Sequence, residues 1–307
     1  MNNSNFSSIK NYIIIFITIT FFTHCATQTP LSDKKNTHKI VYDTLFNANI
    51  KPVFIFPEKL NENSGIEADK NTFWTFNDSG GKNSIYKINF NGSILQEIEI
   101  QNAKNRDWED ITSDENFIYV GDFGNNNGDR QDLTIYKIDK KFITHESKQK
   151  IIAEIITFEY DNRFDFSKKP YQHDFDCESM FIYKNQIHLL TKAWKTGIGS
   201  HYVLSTSSGH HKAQYLEKLD THGFLTGADI NGESVSAIQY TREGNLTLWS
   251  FSFDKNYLLF NNPIQATYLG NTSKLGQIEG ITFFENKLYI SGEKMDNIPP
   301  TLYLIQK

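Results

Sequence analysis

Three glutamates recur at matching places in the chain. Glu109-Asp110-Ile111, Glu178-Ser179-Met180 and Glu279-Gly280-Ile281 each precede a polar turn and then an alternating run, at residues 117–120, 186–190 and 287–290. Ser64-Gly65-Ile66 and Thr226-Gly227-Ala228 sit in the same way before residues 73–76 and 234–238, making five anchors. Carboxylates and hydroxyls with no aligned His or Cys are hard oxygen donors, which suit Ca2+ better than a transition metal. If the five positions converge, three carboxylates share a narrow space and repel unless protons or a cation intervene. The expected metal set is therefore Ser64, Glu109, Glu178, Thr226 and Glu279. The alternative is a polar channel whose acids bond to backbone and buried water.

The loops that follow each second strand are polar: residues 77–81, 122–126, Thr191-Lys192 and 291–294. Asp78, Asp107, Asp122 and Lys192 are the residue types that a cation-assisted hydrolysis of phosphate esters needs as base and charge partner. Asn77, Asp78, Asp122, Arg130, His173, Lys192 and Glu293 form the expected ligand face, with Asp174 and Asp176 alongside and residues 161–172 as an inserted rim. Any one of them alone is equally what a solvated turn looks like; their grouping on one face carries the expectation. Gly80-Gly81-Lys82 is not a phosphate loop, because a strand follows it rather than a helix. Cys177 reads as a small buried residue, and His210-His211 as an exposed turn.

What must position these residues is a repeat. The anchors recur every 45 to 69 residues. Further alternating runs lie between them, at 84–88, 94–100 after the Asn91-Gly92 turn, 133–138 and 151–160. No helical pattern of similar length intervenes, so parallel βαβ units are excluded. The chain ends soon after residues 302–304, one strand short, and residues 52–56 can supply that strand and close the ring. The expectation is an all-β, five-bladed β-propeller closed by an N-terminal strand. A six-bladed ring is the second choice, since the 69-residue interval has room for part of a blade.

Residues 77–81, 107–111, 121–125 and 226–230, in this order with Glu178-Ser179 and residues 279–281, resemble a family of secreted bacterial proteins of propeller fold. The resemblance runs from Asn63 to the C-terminus, and it implies the fold rather than an activity. More distantly, the order Ser64, Glu109, Glu178, Thr226, Glu279 is similar to the calcium-activated apyrases, five-bladed propellers with one oxygen ligand per blade around an axial Ca2+. That family's nucleotide-contacting sequence is not found in this chain, so Ca2+ binding is implied more than nucleotide hydrolysis. The resemblance to phytase-like and lactonase-like propellers is one of fold alone.

Composition sets the outer bounds. In 307 residues, 38% hydrophobic and 14% aromatic, there is material for a core and a bias toward strands. A net charge of −5 gives no general field for nucleic acid, and two cysteines exclude a disulfide scaffold. Lys10 precedes an apolar run, residues 12–22, that is too short for a stable membrane span and reads as a secretion signal. Cys25 follows at the place where bacterial lipoproteins are lipidated, although His24 replaces the usual small residue before it. The expected organisation is a signal peptide at 1–24, a lipidated tether at 25–37 and one domain at 38–307. The mature protein is expected as a monomer tethered to the cell envelope, at the outer membrane, with a small-molecule or protein ligand and no nucleic acid. Its expected role is ligand binding, with Ca2+-dependent hydrolysis of phosphate esters or nucleotides as the alternative. Replacing Cys25 by Ser should move the protein from the membrane fraction to the soluble fraction; an unchanged distribution on fractionation would remove the lipid anchor.

Overall fold

The computed structural model describes residues 39–43 and 49–306. The expected signal peptide, Cys25 and the tether lie outside the described residues. Within them the chain is all-β, as its β-branched and aromatic alternation requires. Strands β1 (Ile40–Asp43) and β2 (Asn49–Ile55) come first. Then follow β3 (Asn63–Asp69), β4 (Thr72–Asn77), β5 (Ser84–Asn89) and β6 (Ile94–Ile100), an antiparallel meander.

The second meander is β7 (Trp108–Ser113), β8 (Phe117–Asp122), β9 (Leu133–Asp139) and, after the detached strand β10 (Lys148–Ile151), β11 (Glu154–Tyr160). The third is β12 (Asp176–Tyr183), β13 (Gln186–Lys192), β14 (Ile198–Ser205) and β15 (Gly209–Asp220). The fourth is β16 (Phe224–Asn231), β17 (Ser234–Tyr240), β18 (Asn245–Ser252) and β19 (Ile264–Asn271). The fifth is β20 (Gln277–Phe284), β21 (Lys287–Glu293) and β22 (Thr301–Gln306), with β2 antiparallel to β22 as its outer strand.

The first strands of the five meanders touch in cyclic order: β3, β7, β12, β16, β20 and back to β3. The core follows the same cycle as five separate clusters. Phe76 and Trp108, edge to face at 5.6 Å, lie between the first and second meanders. Tyr119, Phe158 and Met180 lie between the second and third, Phe181 and Ala228 between the third and fourth. Ile238 and Ile281 join the fourth to the fifth, and Tyr289 with Ile66 and Phe73 joins the fifth to the first. The inner strands of each sheet therefore bury both faces against neighbours, whereas outer strands such as β6 and β15 alternate buried with more exposed residues.

Polar bonds lock the first strands to one another. The Asp110 carboxylate accepts from Met180 N at 2.6 Å, and Asp229 accepts from Phe283 N at 2.6 Å. Thr282 Oγ1 accepts from Ala68 N at 3.0 Å, and Ser113 Oγ donates to Glu67 at 2.6 Å.

Three features depart from the sequence expectation. The run at 151–160 is two strands: Ile151 ends β10, which pairs parallel with β6, and only from Glu154 does the chain join β9. Asn102 causes the break, because its side chain accepts from Ala153 N and donates to Ala153 O, holding that residue out of either ladder. His210 and His211 lie within β15, not in a turn, and β15 pairs parallel with β11, merging two meanders into one eight-stranded sheet. The long interval before Glu178 is thus filled by β10 and the loop entering β12. β1 adds to β19 as a parallel edge strand.

Deleting residues 38–58 removes β1 and β2, unpairs the β22 edge and strips Phe56 from its cluster. The truncated protein should aggregate or lose cooperative melting; unchanged solubility and melting would show that β2 does not hold the fifth sheet.

Candidate functional site

A β-bulge lies at the same place in every first strand. The register slips between Trp108 and Asp110, Cys177 and Ser179, Leu225 and Gly227, and Ile278 and Gly280, leaving Glu109, Glu178, Thr226 and Glu279 as the extra residues. In β3 the slip spans Asn63 to Ile66 and includes Ser64. An extra residue has no ladder partner and its side chain is re-aimed. All five anchors are at most 5% exposed, so the bulges turn them inward rather than to solvent.

Most of the anchors have partners. Lys192 Nζ lies 3.0 Å from Glu178 Oε1, both side chains buried. Glu279 accepts from Gln277 Nε2 at 2.6 Å and from Ser64 Oγ at 3.3 Å. Thr226 Oγ1 donates to Ile278 O at 3.0 Å. The Glu109 carboxylate differs: among the described residues it has neither a hydrogen bond nor an ion pair. Asp78, in the β4–β5 loop, and Asp107, just before β7, each bring a carboxylate oxygen to it, and the three oxygens lie within 4.8 Å of one another.

Local chemistry fixes both neighbours. Asn105 Nδ2 donates to Asn77 O and Asp78 O, and Asp78 N donates to Glu62 O, which pins the Asp78 loop. Asp107 N donates to Asp122 Oδ1, and Gly124 N donates to Asp107 O. A Cβ on Gly124 would collide with Glu109 Oε1 and stand 2.5 Å from Asp107 Oδ2. Glycine lets the β8–β9 loop come this close without displacing either carboxylate.

Charge crowding shows in the acids. Burial, then Glu178 and Asp78, drives Glu109 well above the carboxylate range. Burial and then Glu279 push Asp78 up to about 7; burial and then Asp176 push Asp107 up to about 6. Glu293, at the end of β21, is pushed up to about 8 by burial and by Glu279. Burial works against the Lys192 ammonium, but Glu178, Tyr240, Glu279 and Asp176 together outweigh it and hold the group well above the usual lysine range.

The other expected residues of the face are engaged elsewhere. Asp122 pairs with Arg130 at 3.0 Å, and Arg130 also donates to Gly124 O at 2.8 Å, so both brace the loop around Gly124. Asn77 donates to Lys59 O at 2.8 Å. His173 accepts from Phe175 N at 3.1 Å and packs where a side chain at 128 would be. Asp174 accepts from Lys195 N and Thr196 N, and Asp176 from Trp194 Nε1 at 2.6 Å.

A cleft of about 510 Å³ beside the anchors was not foreseen from sequence. Trp194, Phe224, Tyr240, Arg242 and Gln277 line it. Trp194 covers Lys192, whose Nζ is 4.5 Å from the ring centroid, and Gln277 reaches Glu279, so the cleft adjoins the buried charges. Trp194 lies two residues past Lys192, but nothing in a single strand's alternation shows that Phe224 of the next meander meets it.

No family model and no curated protein matches this chain. Among solved structures, it is similar to a protein from Thermus thermophilus described as an oxidoreductase (glucose dehydrogenase). The TM-score is 0.41 and identity 7%, over 77% of this chain and 79% of that one. It is also similar to a DUF4623 family protein from Bacteroides eggerthii, with TM-score 0.41 and 10% identity, over 75% of this chain and 50% of that one. The chain thus spans about half the length of the latter. At these scores neither likeness assigns a family or an activity.

Raised acids make stability depend on pH with a known sign. In the metal-free protein, Asp78, Asp107 and Glu293 keep protons that the unfolded chain has already lost, so their contribution falls as pH rises from about 4 to about 8. His188 opposes them: burial and His201 lower it to about 3, so its contribution is lost as pH falls from about 6.5 toward 3. Of these four groups only the acids act between pH 6.5 and 8. Chelator-treated protein should therefore melt higher at pH 6.5 than at pH 8, and Glu293→Gln should flatten the difference. A melting temperature that rises toward pH 8 would contradict the charge crowding.

Proposed function

We propose that this chain is a five-bladed β-propeller, tethered to the bacterial envelope through Cys25, whose acid-lined mouth binds Ca2+ and presents a ligand-recognition face. The five meanders are the blades and β2 closes the ring. The buried Glu109 carboxylate without a partner carries the reading. An ionised carboxylate in that position costs several kcal/mol unless something opposes its charge.

The residue types fit a hard cation: Asp78, Asp107 and Glu109 supply oxygen only, and Asp78 comes from a loop, which suits the adaptable shell of Ca2+ better than rigid Mg2+. A bound cation would supply fixed positive charge at the mouth. The chain's own residues do the rest. Trp194 and Tyr240 give flat apolar surface, Gln277 a polar edge, and Lys192 remains spoken for by Glu178. Phosphate-ester hydrolysis is the second reading, in which a cation held by the same three acids would supply Lewis-acid chemistry at the ester.

Chelation should lower the melting temperature and Ca2+ should restore it more effectively than Mg2+. The expected gain is about 2.7 kcal/mol at a hundredfold excess over the dissociation constant. Glu109→Gln should lose this response, while Glu146→Gln, on the periphery, should keep it. Identical melting of verified metal-free protein with and without Ca2+, together with no heat in calorimetry, would sink the proposal. A phosphoesterase and nucleotidase panel with Ca2+ decides between recognition and hydrolysis.

A further inference from the structure

The anchor ring and the acid triad are two different places for one cation. We infer that the cation seat lies off the axis, formed by Asp78, Asp107 and Glu109 at the seam of the first and second meanders. The inference rests on the cation-binding mouth proposed above and specifies which of its residues hold the ion.

The five-anchor ring is largely occupied by its own chemistry. Glu178 faces the Lys192 ammonium at 3.0 Å, and a second cation there would have to displace or repel it. Glu279 is held by Gln277 and Ser64, and the Thr226 hydroxyl is turned toward Ile278 O. These groups have met their needs within the protein.

The seam is the opposite case. Glu109 is about nineteen-twentieths buried and its carboxylate has no partner among the described residues. The Asp107 carboxylate likewise has no hydrogen bond or ion pair among them, and Asp78 keeps one, from Ser79 N. Oxygens on a Ca2+ shell of roughly 2.4 Å radius stand at most about 4.8 Å apart, and the three oxygens all fall within 4.8 Å of one another. Gly124 shows how closely the β8–β9 loop packs on these acids: a Cβ there would run into Glu109 Oε1 and Asp107 Oδ2. Arg130 holds that loop by its carbonyls while its own charge goes to Asp122.

Calorimetry with Ca2+ alone, on chelator-treated full-length protein, tests the assignment. Asp78→Asn and Asp107→Asn should each weaken Ca2+ binding at least tenfold, while Glu279→Gln should change it less than about threefold. Both Asn variants relieve repulsion, so their metal-free melting temperatures should equal or exceed that of the parent, which separates lost binding from lost folding. If Glu279→Gln abolishes binding and the Asn variants bind as the parent does, the ion sits on the axis; the off-axis seat is then wrong while the cation-binding mouth survives. If the parent itself takes up no Ca2+, both fall.

Discussion

Burying like charges together is the constraint around which the five anchors of this molecule are arranged. The bulge in each first strand is what creates it, because an inserted residue must point somewhere and the cyclic contact of β3, β7, β12, β16 and β20 leaves only the centre. Three of the five inserted residues are glutamates, and loop acids add to them. Such a pool cannot be ionised throughout in a poorly solvated space. The protein answers in three ways at once: an ammonium at Glu178, hydrogen bonds at Glu279, and proton retention at Asp78, Asp107 and Glu293.

The tier one to three residues further along the same strands shows what acids do when they serve the fold. Asp110 and Asp229 are as buried as Glu109, but each takes two backbone N–H groups, one from its own strand and one from the next meander. Those bonds satisfy backbone donors on the first strands of neighbouring meanders and tie one strand to the next, so these acids serve the fold. Glu109 and Asp110 are adjacent in sequence and identical in chemistry. One is fully used by the fold, and the other is left over. That contrast, not acidity as such, separates scaffold from site.

How much of this was legible follows from the kind of interaction. The five anchors, the strands of each meander and the candidacy of residues 52–56 for the last strand could be read because alternation and recurrence are local properties of the sequence. The convergence of Asp78 and Asp107 on Glu109 could be named residue by residue but not assembled, since it depends on how the β4–β5 loop leans across a seam. Lys192 was placed on the open face, whereas the ring draws it into a buried pair. The parallel pairing of β11 with β15, and the Asn102 clamp that divides residues 151–160, depend on which distant strand arrives alongside. Nothing in either segment alone announces that.

The third meander carries a second buried polar chain, and its comparison with the mouth explains why burial alone does not mark a site. His188 Nδ1 and His201 Nε2 are 2.8 Å apart, His201 Nδ1 reaches Glu217 at 2.9 Å, and Glu217 in turn accepts from Leu259 N and Phe260 N. From His201 onward each link hands its hydrogen bond toward the backbone at residues 259–260, so that end of the chain is anchored in structure, while His188 Nε2 has no partner among the described residues. Phe181 stacks on His188 at 5.1 Å, and burial and then His201 lower that imidazole to about 3, which keeps His188 neutral. The acid pool ends instead at Asp78 in the β4–β5 loop, with the Asp107 and Glu109 carboxylates beside it unpartnered among the described residues. A polar network that terminates in backbone stabilises the fold; one that terminates in unpaired carboxylates remains available to a ligand.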